Sequence, residues 1–353
     1  MAFSLQQNIP LQGYNSLRLP AFAEYFCAVT TEQELFSALD YARQQSLRVT
    51  PLGGGSNLVL AGDLQGLVIK LDIRGISSRQ QADRVEVTFA AGENWHRSVM
   101  DCLDRGWYGL ENLSLIPGTV GAAPIQNIGA YGVELADLFV SLRAVEIASG
   151  ELRTFDTKAC QFGYRDSIFK GAFKDQFIIL DVTLRLSTEP SINISYPALQ
   201  QASADAGLLV NGNPSYKLTP QLVSELVCQI RSSKLPDPAE IPNAGSFFKN
   251  PLVSSAHAHR LLQCYPQMPT FSQPDGQVKI PAAWLIDQCG FKGVSRGPVS
   301  VHKHQALVLT HNPHMSGGGD GSQLLALAAE LQDAVEQHFS IRLETEPRIY
   351  GSA

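Results

Sequence analysis

Three short segments carry the side chains best suited to chemistry. GYRDS, residues 163–167, presents Arg165, whose guanidinium stays cationic and offers a planar fork of donors that suits a carboxylate. NAGSFFKNP sets Ser246 between Gly245 and the pair Phe247 and Phe248, with no histidine nearby in sequence to make it a hydrolase-type nucleophile. LETEPR, close to the end of the sequence, holds Glu344 and Glu346, which strand alternation would turn to one face. Taken singly, each has an ordinary reading: an exposed ion pair of Arg165 with Asp166, a turn or cap hydroxyl at Ser246, and solvated carboxylates with Arg348 as counter-ion.

Two glycine-rich stretches could hold a ligand for those groups to act on. Residues 115–132, LIPGTVGAAPIQNIGAYG, interleave four glycines and two prolines with small apolar residues and almost no charge. Glycine lets backbone N–H groups come close to a ligand, while Pro117 and Pro124 stiffen the path, so the segment reads as a rigid cradle. In PLGGGSN, the successive N–H groups of residues 53–57 form a concave nest for an anion. The dinucleotide fingerprint G-x-G-x-x-G is not met: counting from Gly53 puts Leu58 where the third glycine belongs, and counting from Gly317, in a separate glycine-rich patch, puts Ser322 there. No GxxxxGK[ST] occurs. For a diphosphate, Arg231, Lys234 and Lys249 supply local cations around a proline-rich turn.

The elements that must position these groups alternate in type, an α+β layout. Thr31 with Glu34 reads as a capping box opening a helix over 31–45. Further helices are expected at 94–104, at 219–233 with Pro220 in the first turn, and at about 322–339, where Leu324, Ala328, Leu331 and Val335 form one stripe. Strand-like runs fall at 24–29, 48–52, 67–71, 85–91, 140–148 and 177–186, and IRLETEPRIY reads as a closing strand. The sequence has 353 residues, enough for two or three domains, with 44% hydrophobic and 17% charged residues. We expect 1–190 as one domain, in subdomains of about 1–72 and 73–190, then a linker and loop over 191–218 and a second α+β domain over 219–353. The low-complexity SGGGDGS at 316–322 reads as a surface linker.

Composition also excludes classes. A net charge of −6 gives no broad basic field for nucleic acid or an anionic membrane. No apolar stretch nears the roughly 20 residues of a membrane helix. With no secretory leader either, a cytoplasmic protein is expected. The six cysteines, Cys27, Cys102, Cys160, Cys228, Cys264 and Cys289, form no CxxC pair or metal cluster and read as small buried apolar residues.

Two glycine-rich cradles in one α+β domain resemble the FAD-binding domain of the vanillyl-alcohol oxidase, or PCMH-type, superfamily. IPGTVGAAPIQNIGAYG, YRDSIFK, NAGSFFKNP, AAWLIDQCG and the terminal LETEPR together resemble the UDP-N-acetylenolpyruvoylglucosamine reductase family, type I, over nearly the whole chain. The resemblance implies non-covalent FAD, with NADPH as hydride donor and a UDP-sugar as substrate. It implies flavin contacts from Gly53, Gly54, Gly55, Ser56 and Asn57, and from Pro117, Gly118, Gly121, Ala122, Ala123, Gln126, Asn127, Gly129, Ala130 and Tyr131. It makes Arg165, Ser246 and Glu346 catalytic, with Ser246 the proton donor to the substrate carbon. Tyr164, Tyr196, Lys234, Asn250 and Gln305 become substrate contacts, Tyr196 lying on a substrate-capping loop.

Departures from the family pattern are local. Thr345 stands where the family usually has proline between its two glutamates, so Glu344 remains a second candidate. Ala122 and Ala123 replace serines of some relatives, and Ser16 replaces a common threonine while keeping its hydroxyl. No metal is implied, and the oligomeric state is left open, a monomer being compatible. The alternatives carried forward are an alcohol or sugar oxidase of the same superfamily, disfavoured because the GGGSN loop lacks a His or Cys to tether FAD, and a non-catalytic nucleotide-sugar-binding protein.

Overall fold

The structure, a computed structural model, describes residues 3–315 and 318–351, so Ser316 and Gly317 of the glycine-rich 316–322 stretch lie outside the described residues. The chain divides into two compact units that interleave in sequence. The first takes Met1–Ile9, Ala23–Gly54 and Leu64–Ser233, and the second takes Pro10–Phe22, Gly55–Asp63 and Lys234–Ala353. The boundary falls inside the 53–57 loop, after Gly54.

In the first unit, a sheet in the order Gln6–Pro10, Phe22–Val29, Leu64–Leu71, Val49–Leu52 pairs its last three strands in parallel. The helix Glu32–Gln44 covers it, burying Leu35, Ala38, Leu39 and Ala42 against Cys27, Leu67 and Ile69. Thr31 caps that helix by accepting from the Glu34 N–H. Glu34 reaches one residue beyond the expected box and accepts from the N–H of Thr30 at 2.6 Å.

A second sheet of this unit is antiparallel, in the order Leu152–Asp156, Phe139–Glu146, Phe177–Ser187, Arg84–Ala90, Ile76–Gln81. Val85, Val87 and Phe89 alternate into a core closed by the helix Trp95–Asp104 through Trp95, Val99 and Cys102. Asn94 caps the helix, and the Trp95 indole N–H donates to the Leu113 carbonyl at 2.9 Å, fixing the chain that leads into the cradle. A third apolar cluster joins Ile194 and Leu199 to Leu218, Val223, Leu226 and Val227, the last three on the helix Pro220–Lys234.

The second unit holds an antiparallel sheet in the order Asn243–Ser246, Val308–His311, Val299–Val301, Ser295–Arg296. Arg348–Tyr350 pairs in parallel with Leu58–Leu60. The helix Gly321–Phe339 buries the expected stripe of Leu324, Ala328, Leu331 and Val335. Only Arg348–Tyr350 of the expected closing strand is regular, Thr345 adding a single bridge to Phe248.

The cysteine expectation holds in part. Cys27, Cys102 and Cys160 are buried, and burial pushes each thiol up to about 12, whereas Cys264 is exposed at the end of the helix Ser255–Cys264. All six are free thiols.

Candidate active site

In the first unit the cradle is built on the end of the antiparallel sheet. The Val120 N–H donates to Glu93 O, the Gly121 N–H to Ala91 O and the Trp95 N–H to Gly118 O, while the Val120 and Ala123 side chains enter the core. Val120–Gln126 coils as a short 3-10 helix around Pro124 and ends at Asn127 in the left-handed region, φ 45°. Leu115 and Tyr131 are left-handed as well, the kind of strained backbone that persists only when its surroundings hold it.

The two glycine stretches meet backbone to backbone. A Cβ on Gly54 would lie 2.8 Å from Gly118 Cα, and one on Gly53 would lie 2.7 Å from Thr119 Oγ1. Gly121 is tight for another reason: its Cβ would meet the Ala91 methyl at 2.5 Å, so it serves packing of the cradle onto the sheet. Pro117 and Ala122 are exposed, Ala123 is buried, and Gln126 and Ala130 are half-buried.

Arg165 sits at the tip of a tight turn in which Gly163 and Asp166 exchange both backbone hydrogen bonds, and it takes φ 54° there. Three bonds staple this turn to the cradle. The Arg165 guanidinium donates to Gly129 O at 2.7 Å, Ser167 Oγ donates to Ile125 O at 2.7 Å, and Asn127 Nδ2 donates to Gly163 O at 3.1 Å. Asn127 also donates to Glu134 and accepts from the Ala136 N–H, so its buried side chain serves the protein scaffold. Tyr164 lies beneath the Arg165 guanidinium, 5.6 Å from ring centroid to Cζ.

Tyr131 and Tyr196 meet edge to face at 5.2 Å between centroids. Burial raises the Tyr131 phenol above its ordinary value. Arg231 has a buried Nε with no hydrogen-bond partner among the described residues. Burial lowers its pKa, and the charge of Arg165 lowers it further.

The second unit gathers the other candidates by strand pairing. Ser246 pairs with Val308, the Phe247 N–H donates to Leu307 O at 2.7 Å, and the Glu346 N–H donates to Phe247 O at 2.9 Å. The Ser246 and Glu346 backbones are thereby neighbours, on a footing anchored by Phe247 and Phe248, each 1% exposed. Burying such a ring contributes about 1.5–3 kcal/mol. Gln305 forms the turn before this partner strand, its side chain accepting from the Leu307 N–H.

Ser16 carries the weave further: its N–H donates to Gly55 O and its hydroxyl to Asn243 O at 2.7 Å, so this hydroxyl ties the nest to the Ser246 strand. The Arg348 N–H donates to Asn57 O, tying in the terminal segment. Asn250 accepts from the Ala282 N–H at the start of the helix Ala282–Gln288, Lys249 pairs with the exposed Glu344, and Lys234 is exposed. Among the described residues no cluster of His, Cys, Asp or Glu could hold a metal.

Sequence reasoning did not single out Asn112 or Ser167, since nothing marks a buried Asn or Ser hydrogen-bonding to distant carbonyls. Ser16 it noted only as a serine standing for a common threonine, without its bond to Asn243.

A short glycine loop closing against a Gly/Pro cradle on an α+β scaffold defines a flavin-binding protein, and residues 23–156 match the FAD binding domain family. Residues 237–350 match the family described as UDP-N-acetylenolpyruvoylglucosamine reductase, C-terminal domain. The chain is 46% identical to UDP-N-acetylenolpyruvoylglucosamine reductase of Pseudomonas aeruginosa over 99% of this chain and 100% of that one. It is 47% identical to that of Cupriavidus pinatubonensis over 96% and 97%. The crystal structure of the reductase from Thermus caldophilus has the same fold, with TM-score 0.66 at 21% identity over 99% of both chains. The chain belongs to the UDP-N-acetylenolpyruvoylglucosamine reductase family.

The residues present fit FAD. The N–H groups of Gly54, Gly55 and Ser56 donate no hydrogen bond to another described residue, as a pyrophosphate nest requires, and side chains at Gly53 and Gly54 would collide with the cradle.

Proposed function

We propose that this chain reduces UDP-N-acetylglucosamine enolpyruvate to UDP-N-acetylmuramate in the cytoplasm, with NADPH as hydride donor, and that Arg165, Ser246 and Glu346 carry the chemistry. The observation that supports this best is the Arg165 guanidinium fixed to Gly129 of the cradle at 2.7 Å. FAD supplies the hydride transfer, from NADPH to the terminal vinyl carbon of the substrate.

Arg165 binds the enolpyruvyl carboxylate and stabilises the charge that gathers there as hydride adds; a cation already held in place needs little reorganisation at that moment. Ser246 gives its hydroxyl proton to the adjacent carbon, completing the addition of hydride and proton across the double bond. Glu346, whose backbone N–H donates to Phe247 O beside Ser246, acts in its protonated form, its carboxylic O–H donating to the developing charge alongside Arg165. Tyr164, Tyr196, Lys234, Asn250 and Gln305 orient the nucleotide sugar, Lys234 at its diphosphate. Gly53, Gly54, Gly55, Ser56 and Asn57 together with the cradle hold the flavin.

The test is spectroscopic. The purified protein should be yellow, NADPH should bleach it, and anaerobic addition of the enolpyruvyl nucleotide sugar should restore the colour. Bleaching without recovery on adding the sugar would overturn the proposed substrate.

A further inference from the structure

We infer that Asn112 is a positioning residue that docks the substrate-capping segment onto the flavin cradle. Asn112 is 1% exposed, in the short turn Glu111–Leu113. Its amide Nδ2 donates to two carbonyls at once, Tyr131 O in the cradle at 2.8 Å and Asn193 O in the segment leading to Tyr196 at 2.9 Å. A side-chain amide has two N–H donors, and each is committed here to a different stretch of chain.

The docked segment is held by more than this bond. Asn193 Nδ2 donates back to Gly132 O at 3.2 Å, while its Oδ1 accepts from both the N–H and the hydroxyl of Ser195. Gly132 takes φ 84°, a conformation that side-chain-bearing residues rarely adopt, and a Cβ there would crowd Ser195 Oγ at 2.9 Å. Ile194 and Leu199 sink into the apolar cluster on either side of exposed Tyr196, whose ring meets that of Tyr131. The turn carrying Asn112 is braced in turn by the buried Glu111 carboxylate, which accepts from the Gly109 N–H at 2.7 Å.

The cradle and the capping segment thus share one buried donor. Cutting it leaves the half-buried Tyr131 and Asn193 carbonyls short of this partner and frees the segment, so the ordering must then accompany substrate binding. This inference rests on the proposed role of Tyr196 as a substrate contact.

The test uses the FAD-loaded enzyme. Asn112→Leu keeps the bulk and removes both donors. In the absence of sugar, backbone amides of residues 191–206 should exchange hydrogen faster than in the wild type, while the strand Phe177–Ser187 stays protected. The KM for the enolpyruvyl nucleotide sugar should rise about tenfold with kcat within about threefold, because preorganisation is lost and the chemical groups are not. In a Tyr196→Ala background the same change should raise KM by less than about twofold, the mark of action through Tyr196.

Unchanged exchange over 191–206 in a folded Asn112→Leu protein would overturn the inference, as would equal fold-changes in KM in both backgrounds. If Tyr196→Ala alone leaves KM unaltered, the role proposed for Tyr196 fails, and the exchange measurement still decides whether Asn112 is the latch. Should Asn112→Leu not fold, Asn112→Ser carries the same comparisons with a smaller, polar side chain.

Discussion

The two units present their candidate residues in opposite ways. The first relies on irregular backbone: left-handed Leu115, Asn127, Tyr131 and Arg165, glycines where loops touch, and side chains such as Asn127 and Ser167 stapling one loop to another. The second relies on regular pairing, with Ser246 on a strand, Glu346 hydrogen-bonded beside it, and two buried phenylalanines beneath. Where backbone shape is the working part, a change of residue reaches the fold of the site. Where a strand merely carries a side chain, its chemistry can be removed and the scaffold left standing.

The sharpest way to break that contrast is Ser246→Ala. It removes a half-buried hydroxyl from a paired strand, so flavin content and the urea midpoint should match the wild type, and NADPH should bleach the flavin at a rate within a few fold. Reoxidation by the enolpyruvyl sugar should slow by about 10³-fold, within the usual range for a lost proton donor. Stopped-flow traces of the two half-reactions separate these outcomes, and normal reoxidation would remove Ser246 from the chemistry.

Arg165→Lys comes next, with about a 10²-fold loss in the same step. A lysine stays cationic but lacks the fork that binds Gly129 O while still facing a carboxylate. If lysine served as well as arginine, positive charge alone would be the requirement and the stapled turn would be incidental.

Gly54→Ala probes the irregular unit directly. The added methyl would lie 2.8 Å from Gly118 Cα, a backbone atom that must shift, so FAD affinity should fall about tenfold, measured by flavin retained on dialysis. Gly121→Val should also lose flavin, but through collision with Ala91 and with a drop in melting temperature. Full flavin occupancy in both variants would show that close approach of the two loops is not what holds the cofactor.

Much of the fold was legible because its signals are local. The Thr31 cap, the proline opening the helix Pro220–Lys234 and the Leu324 stripe are each written within a few residues. The strand Ile76–Gln81 was not, since ISSRQQ has no apolar alternation and is exposed along almost its whole length; pairing with Arg84–Ala90 makes it a strand. The interleaved units escaped for a similar reason, as Leu58–Leu60 finds its partner at Arg348–Tyr350. Motifs marked the candidate site residues, but the bonds positioning them, such as those of Asn127 and Ser16, join distant backbone groups and leave no pattern in sequence.

A pH effect is expected where the cradle begins, in the first unit. His96 Nδ1 accepts from the Leu115 N–H at 3.0 Å at the start of the cradle, and burial, then the charge of Arg231, lowers its pKa below the ordinary 6.5. With the folded value depressed, the folded state favours the neutral ring. Its contribution is complete above pH 6.5 and is lost as pH falls from there through the folded value. The wild type should therefore lose more stability between pH 7.5 and 5.5 than His96→Gln, measured by urea unfolding. Equal losses would mean that this imidazole is not coupled to the fold of the cradle.

The smallest effect expected distinguishes the two terminal carboxylates. Glu344 is exposed and pairs with Lys249, whose side chain is 12% exposed, so the pair contributes about 1 kcal/mol, the upper end for surface pairs. Glu344→Gln should lower stability by no more than that and change turnover less than about twofold, with added salt erasing the stability difference. Glu346→Gln, one residue beyond the bridge of Thr345 to Phe248, should instead slow reoxidation by the sugar while leaving Lys249 paired. If Glu344→Gln proved the more damaging of the two, Glu344, the second candidate that Thr345 leaves open, would be the working carboxylate in place of Glu346.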